Sequence, residues 1–223
     1  MKREVVAEGL GTAFLLYVVV GSGIAARELT SDSGLALFAH AMAVGLGLGA
    51  LIAMLQTVSG AHFNPSVTLA FWRVGSIDGS TASRYAVAQV VGGAIGVLAA
   101  NWSFSKAALT VSTTARSGTG LVVAEALATF VLVLVILALI RTGRAGGVPF
   151  AVGAWVSTAV FATSSTGFAN PAVTMSRVFT DTYTGIAPAS EPAFVAAQIA
   201  AGLVAAAAAI VLYPHREVQQ AAI

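Results

Sequence analysis

Long apolar runs broken by short polar clusters dominate the chain, at about 4–26, 35–58, 84–104, 120–140, 148–166 and 192–213. Each is close to the roughly 20 residues that an α-helix needs to cross a bilayer core. The breaks hold turn formers, among them Ser31 to Gly34, Gly75 to Ser80, Thr113 to Gly120 and Arg141 to Gly147. A spanning β-barrel would show period-two alternation, whereas these runs are apolar on all sides. The pattern predicts an all-α membrane protein with six transmembrane helices. No break reads as a linker, so residues 1–223 are expected to form a single transmembrane domain.

Composition agrees: 57% of the 223 residues are hydrophobic, 9% are charged, and the mean hydropathy is +0.89. A soluble domain would carry roughly 25% charged residues. Eleven Lys and Arg against nine Asp and Glu form no basic run, which gives no reason to expect a nucleic-acid partner. The absence of cysteine removes disulfides, thiolate metal sites and cysteine nucleophiles, and no metal or cofactor is expected. Lys2 and Arg3 before an apolar run have the form of a secretory signal. The run to Ala26 is too long for one and contains Glu8, so it reads as an uncleaved first span. With six spans both termini share a side. Lys2, Arg3, Arg73, Arg84, Arg141, Arg144 and Arg216 fall on that side against Arg27, Lys106, Arg116 and Arg177 on the other, which predicts cytoplasmic termini.

The chain also repeats itself. Glu8-Gly9-Leu10-Gly11-Thr12 echoes Glu125-Ala126-Leu127-Ala128-Thr129, and Asn64-Pro65-Ser66-Val67-Thr68 echoes Asn170-Pro171-Ala172-Val173-Thr174. Ala88-Gln89 echoes Ala197-Gln198. Three markers recur in order, in halves of about 4–104 and 120–213. Each half has three spans, an odd number, so the halves must be inverted in the membrane.

Asn is a good helix N-cap and Pro belongs in a first helical turn. Two short helices are therefore expected at 64–73 and 170–179, each about 15 Å long, or half a bilayer core. Inversion would bring their N-termini together at mid-membrane as re-entrant half-helices. Irregular backbone at that depth is tolerated where it is buried in protein or lines a water-filled cavity. Two converging positive helix ends would repel cations, and the amides of Asn64 and Asn170 would donate to neutral hydroxyls.

With these motifs in hand, the whole chain resembles the aquaporin and aquaglyceroporin family, most closely in Ser59-Gly60-Ala61-His62-Phe63-Asn64-Pro65 and the duplicated Glu. The resemblance implies a homotetramer of six-helix bundles in the bilayer, one pore per subunit, passing water or small neutral solutes. It also implies that Glu8 and Glu125 support the re-entrant loops, in preference to proton transfer. His62 reads as a loop-packing residue, and Gln89 and Gln198 as polar contacts between helices. His40 and His215 stand isolated.

Family members usually carry Arg three residues after the second Asn, where this chain has Val173. Counting from the same markers puts the other filter positions at Val44, Thr158 and Gly167. Such a filter is small-sided, uncharged and without an aromatic ring. It would suit glycerol-like polyols or neutral metalloid hydroxides such as arsenous acid. In this the chain resembles bacterial members associated with metalloid resistance, which also depart from the usual filter; the resemblance implies the bacterial inner membrane. A water-selective channel would be expected to keep Arg and an aromatic residue. Arg177, four residues beyond Val173, reads either as an outer-mouth residue or, more ordinarily, as an arginine turned to water or headgroups. A coupled transporter would need a titrating site facing the solute, and an enzyme would need a nucleophile with a base; neither is visible.

Overall fold

The computed structural model describes residues 2–214; His215 and Arg216 lie outside the described residues. Six helices are long and apolar enough to span: α1 (Lys2–Leu29), α2 (Ser33–Ser59), α4 (Gly79–Ser103), α5 (Thr119–Arg141), α6 (Val148–Ala162, extended by a 3-10 turn at Ala145–Gly147) and α8 (Glu191–Leu212). Two short helices complete the set. They are α3 (Pro65–Arg73) and α7 (Pro171–Ser176), the latter continuing as a 3-10 turn at Arg177–Phe179. This is the expected six-helix, two-half-helix architecture, with no strand among the described residues. The apolar run at 148–166 overestimates its helix, because Thr163–Thr166 turns back toward the interior instead of continuing outward.

Polar side chains at the expected breaks start the helices. Asp32 accepts from the Leu35 N–H and Asp78 from the Thr81 N–H, both at 2.7 Å. The latter bond holds the exposed Asp78 carboxyl below the usual carboxylate range. Asn64 and Asn170 cap α3 and α7, each followed by Pro in the first turn.

The spans pack through small residues, as expected where lipid supplies no hydrophobic drive between helices. In α4, a side chain on Gly92 or Gly96 would lie 2.0 Å from the Gly9 or Ala13 carbonyl of α1. In α2, Gly45 and Gly49 face Gly153 and Pro149 of α6 in the same manner. One tight crossing thus lies within the first half and the other joins the two halves. The halves are also strapped together on the face opposite the N-terminus, where the 104–118 connection runs across to the second half. Ser112 N–H donates to the Val178 carbonyl at 2.9 Å and Ala187 N–H to that of Thr114 at 2.7 Å.

Replacing Gly96 by Leu should cost about 1–3 kcal/mol or more, because the new side chain meets rigid backbone. Gly120 has open space around it, so Gly120→Ala should leave stability within about 0.5 kcal/mol. Thermal unfolding of both variants in detergent checks the contrast.

Candidate functional site

Two carboxylates hold the re-entrant chain at mid-membrane. Glu8 of α1 is fully buried. Its Oε1 accepts from the Ser59 hydroxyl at 2.6 Å and the His62 N–H at 2.9 Å. Its Oε2 accepts from the Phe63 N–H and the Gln89 amide, both at 2.7 Å. Glu125 of α5 repeats the device in the second half. It accepts from the Phe168 N–H at 2.9 Å, the Ala169 N–H at 2.8 Å and the Gln198 amide at 2.6 Å. The two glutamines then anchor Thr68 and Thr174 in the half-helices at 3.0 and 2.8 Å. Every group within hydrogen-bonding reach of Glu8 is a donor, and so is every one around Glu125. His62 joins the same cluster, its Nδ1 3.1 Å from Thr68 Oγ1 and its ring packed against Phe71 and Tyr85.

The backbone that these carboxylates hold is strained in matching places. Gly60, Ala61 and Phe63 have positive φ in one half, as do Thr166, Gly167 and Ala169 in the other. Each non-glycine residue there costs about 1–2 kcal/mol. This conformation keeps the segments from pairing with themselves. Among the described residues the carbonyls of 60–62 and 166–168 accept no hydrogen bond from protein.

The segments meet through a crossed pair of bonds. Asn64 Nδ2 donates to the Ala169 carbonyl and Asn170 Nδ2 to the Phe63 carbonyl, both at 2.8 Å. The oxygens of the two amides accept from their own helices, at Ser66 N–H and at Ala172 and Val173 N–H. A side-chain amide has two N–H donors. One proton of each is used in the crossing and one remains.

A cavity of about 390 Å³ passes this junction. It runs from Gly146 and Thr57 near the N-terminal face to His40 and Arg177 near the opposite face. One side of its wall is apolar, built from residues such as Leu48, Ile52, Val152 and Ile136. The other side carries both asparagines and the re-entrant segments. A solute with hydroxyl groups would find donors and acceptors mainly along the re-entrant segments, with a largely apolar wall from the spanning helices.

The predicted residues fall unevenly around this cavity. Asn64, Asn170, His62, Val44, Gly167 and Val173 line it, whereas Glu8, Glu125, Pro65, Ser66, Pro171 and Ala172 stand behind the wall. Thr158 is a correction. It is exposed on the outer side of α6, with its hydroxyl turned to the Ala154 carbonyl of its own helix. The lining residues of α6 are Val148, Val152, Val156 and Val160, one per turn. Two residues of helix are about 200° of rotation, so Thr158 lies opposite both its valine neighbours. Counting back from Asn170 crosses the irregular turn at 163–166 and loses the helical phase.

Arg177 is buried and lines the cavity, which overturns the reading of it as a headgroup-facing side chain. Its Nε donates to the Thr184 carbonyl, and its guanidinium lies 3.3 Å from the centre of the Phe168 ring. Phe168 also lines the cavity, so the wall does contain an aromatic ring. Arg116, from the 104–118 connection, approaches the same ring at 5.1 Å and donates to the Gly185 carbonyl at 2.8 Å. Burial holds its guanidinium below the ordinary arginine range. His40 lines the cavity too, and sequence reasoning missed it. The signal was available: His40, Val44, Leu48 and Ile52 share one face of α2 at four-residue spacing.

Inverted halves, paired half-helices and a cavity through their junction define a transmembrane channel architecture. Residues 1–169 match the family described as major intrinsic protein, and the chain belongs to that family. It is 43% identical to the aquaglyceroporin AqpS of Rhizobium meliloti over 199 residues, 89% of this chain and 85% of the relative. A shorter similarity, 33% over 94 residues, links it to the glycerol uptake facilitator protein of Haemophilus influenzae, covering 41% of this chain and 34% of the other. Its fold matches the X-ray structure of the aquaglyceroporin from Plasmodium falciparum with a TM-score of 0.74 at 22% identity, over 92% of this chain and 94% of that one.

Glu8→Gln should destabilise more than Glu125→Gln. An amide NH2 placed at Oε1 of Glu8 meets two donors, whereas at Oε1 of Glu125 it meets one. Each buried donor left unpaired costs about 1–3 kcal/mol. Comparing the melting temperatures of the two variants checks the order.

Proposed function

We propose that the chain carries glycerol-sized polyols and neutral metalloid hydroxides such as arsenous acid alongside water. In its coarser form the statement is plain: the chain is a passive transmembrane channel for water and small neutral solutes. The crossed Asn64 and Asn170 amides carry the reading, since each keeps one donor for a passing oxygen while its neighbours in the wall are mostly apolar. Val173 supports a solute larger than water. A branched aliphatic stands where the family usually has a guanidinium, and Val44, Val160 and Gly167 add no charge. Gly167 could not be enlarged without rebuilding, because its Cβ would lie 2.8 Å from that of Ala159 at a φ of +52°.

Glu8 and Glu125 are spent on fixed donors, which favours a channel over a coupled transporter and leaves the chain no evident role as an enzyme. The working assembly is a homotetramer in the bacterial inner membrane. The Lys and Arg bias supports cytoplasmic termini, an orientation in which the cavity end at His40 and Arg177 faces outward.

Reconstituted in liposomes, the channel should pass glycerol down its gradient at a rate insensitive to pH and membrane voltage. Val173→Arg should lower glycerol and arsenous acid permeability severalfold while water permeability falls less. An unchanged solute-to-water ratio in that variant would remove the substrate argument.

A further inference from the structure

Toward the outward end the cavity lining changes from valine to two polar groups. On α2, which descends from that face, His40 stands one turn above Val44. On α7 and its 3-10 extension, which climb toward that face, Arg177 stands one turn above Val173. Steps of four residues in opposite sequence directions thus lead to the same end of the cavity.

The dipeptide Tyr183-Thr184 connects them. His40 packs edge-on against Tyr183, ring centres 5.9 Å apart, and Arg177 donates through Nε to the Thr184 carbonyl. That single bond leaves four of five guanidinium N–H donors without a protein acceptor among the described residues. His40 Nδ1 lies 2.8 Å from the Ser22 hydroxyl, which itself lies 3.3 Å from the Val19 carbonyl. Ser22 has one proton. Both contacts are hydrogen bonds only if Ser22 donates to Val19 and the histidine carries its proton on Nδ1. Nε2 is then a bare acceptor, with no protein donor among the described residues.

We propose that His40 and Arg177 form the hydrogen-bonding filter of this channel, an acceptor facing a set of donors, placed one helical turn outside the apolar Val44 and Val173 level. A neutral solute with two hydroxyl groups can donate to His40 through one and accept from Arg177 through the other. A water can make both contacts only through its one oxygen and its protons, whereas a polyol brings a separate hydroxyl to each group and sets its carbon chain against the apolar wall. The pair thus favours small polyhydroxylated solutes, and Arg177 keeps a fixed positive charge against cations although Val173 supplies none. This rests on the cavity being the conduction path.

Full-length channel in liposomes, with glycerol and water as probes, tests it. His40→Phe keeps a ring against Tyr183 but removes the acceptor. The ratio of glycerol to water permeability should fall roughly fivefold, as expected for one hydrogen bond of ordinary strength. His40→Gln, which retains an acceptor oxygen, should hold the ratio within about twofold. Ser22→Ala frees the tautomer without touching the ring and should lower the ratio in the direction of His40→Phe, which keeps a readout even if the Phe variant fails to assemble. An unchanged ratio in His40→Phe or in Ser22→Ala, or equal losses in the Phe and Gln variants, overturns the proposal while the channel reading stands. Failure of the unmodified protein to pass glycerol at all overturns the polyol reading and this filter with it.

Discussion

A buried carboxylate facing nothing but donors holds the centre of this molecule in place. The re-entrant segments run at mid-membrane with no helix or strand to satisfy their amides, and hydrocarbon offers no substitute. Glu8 and Glu125 take up the N–H groups of His62, Phe63, Phe168 and Ala169. Without them the left-handed turns would have no compensation for their strain, and the asparagines would lose the geometry that lets them cross. The carboxylates in turn rely on α1 and α5 being held close, which the glycine-lined crossing of α1 with α4 ensures in the first half.

The same arrangement explains why a charged residue deep in a membrane need not signal proton traffic. Each carboxylate is saturated by donors fixed in backbone or in a neighbouring amide. The polar work of conduction falls instead on groups with capacity left over. In the proposed path these are one proton of each asparagine amide, the carbonyls of 60–62 and 166–168, and the pair of His40 and Arg177 at the end away from the N-terminus.

Much of this was legible in the sequence because it is written in local letters. The spans follow from apolar runs, the half-helices from Asn-Pro, and the inversion from an odd number of spans per repeat. Glu8, Gln89, Glu125 and Gln198 were found because each recurs with its half. What escaped was rotational phase. Thr158 and Val160 differ by two residues and by opposite sides of α6, and no count through the turn at 163–166 fixes which one faces inward. Phe168 went unremarked, and the more ordinary reading of Arg177 failed, for a related reason. Their burial depends on the 104–118 connection and on residues 183–185 closing over them, contacts made across the chain that leave no periodic mark.

The crossing of Asn64 with Ala169 and of Asn170 with Phe63 bears on how the protein is made. When α1 to α4 have entered the membrane, the carbonyl of Phe63 and the free amide of Asn64 face partners that the ribosome has not yet produced. The first half can thread its spans and seat its loop on Glu8, but it cannot close its own centre. Completion waits for residues 169 and 170, so the two halves mature as one unit and a truncated half would expose unpaired polar backbone to lipid or water. Duplication supplied two copies of a motif, and exchanging a single bond in each direction made neither copy sufficient alone.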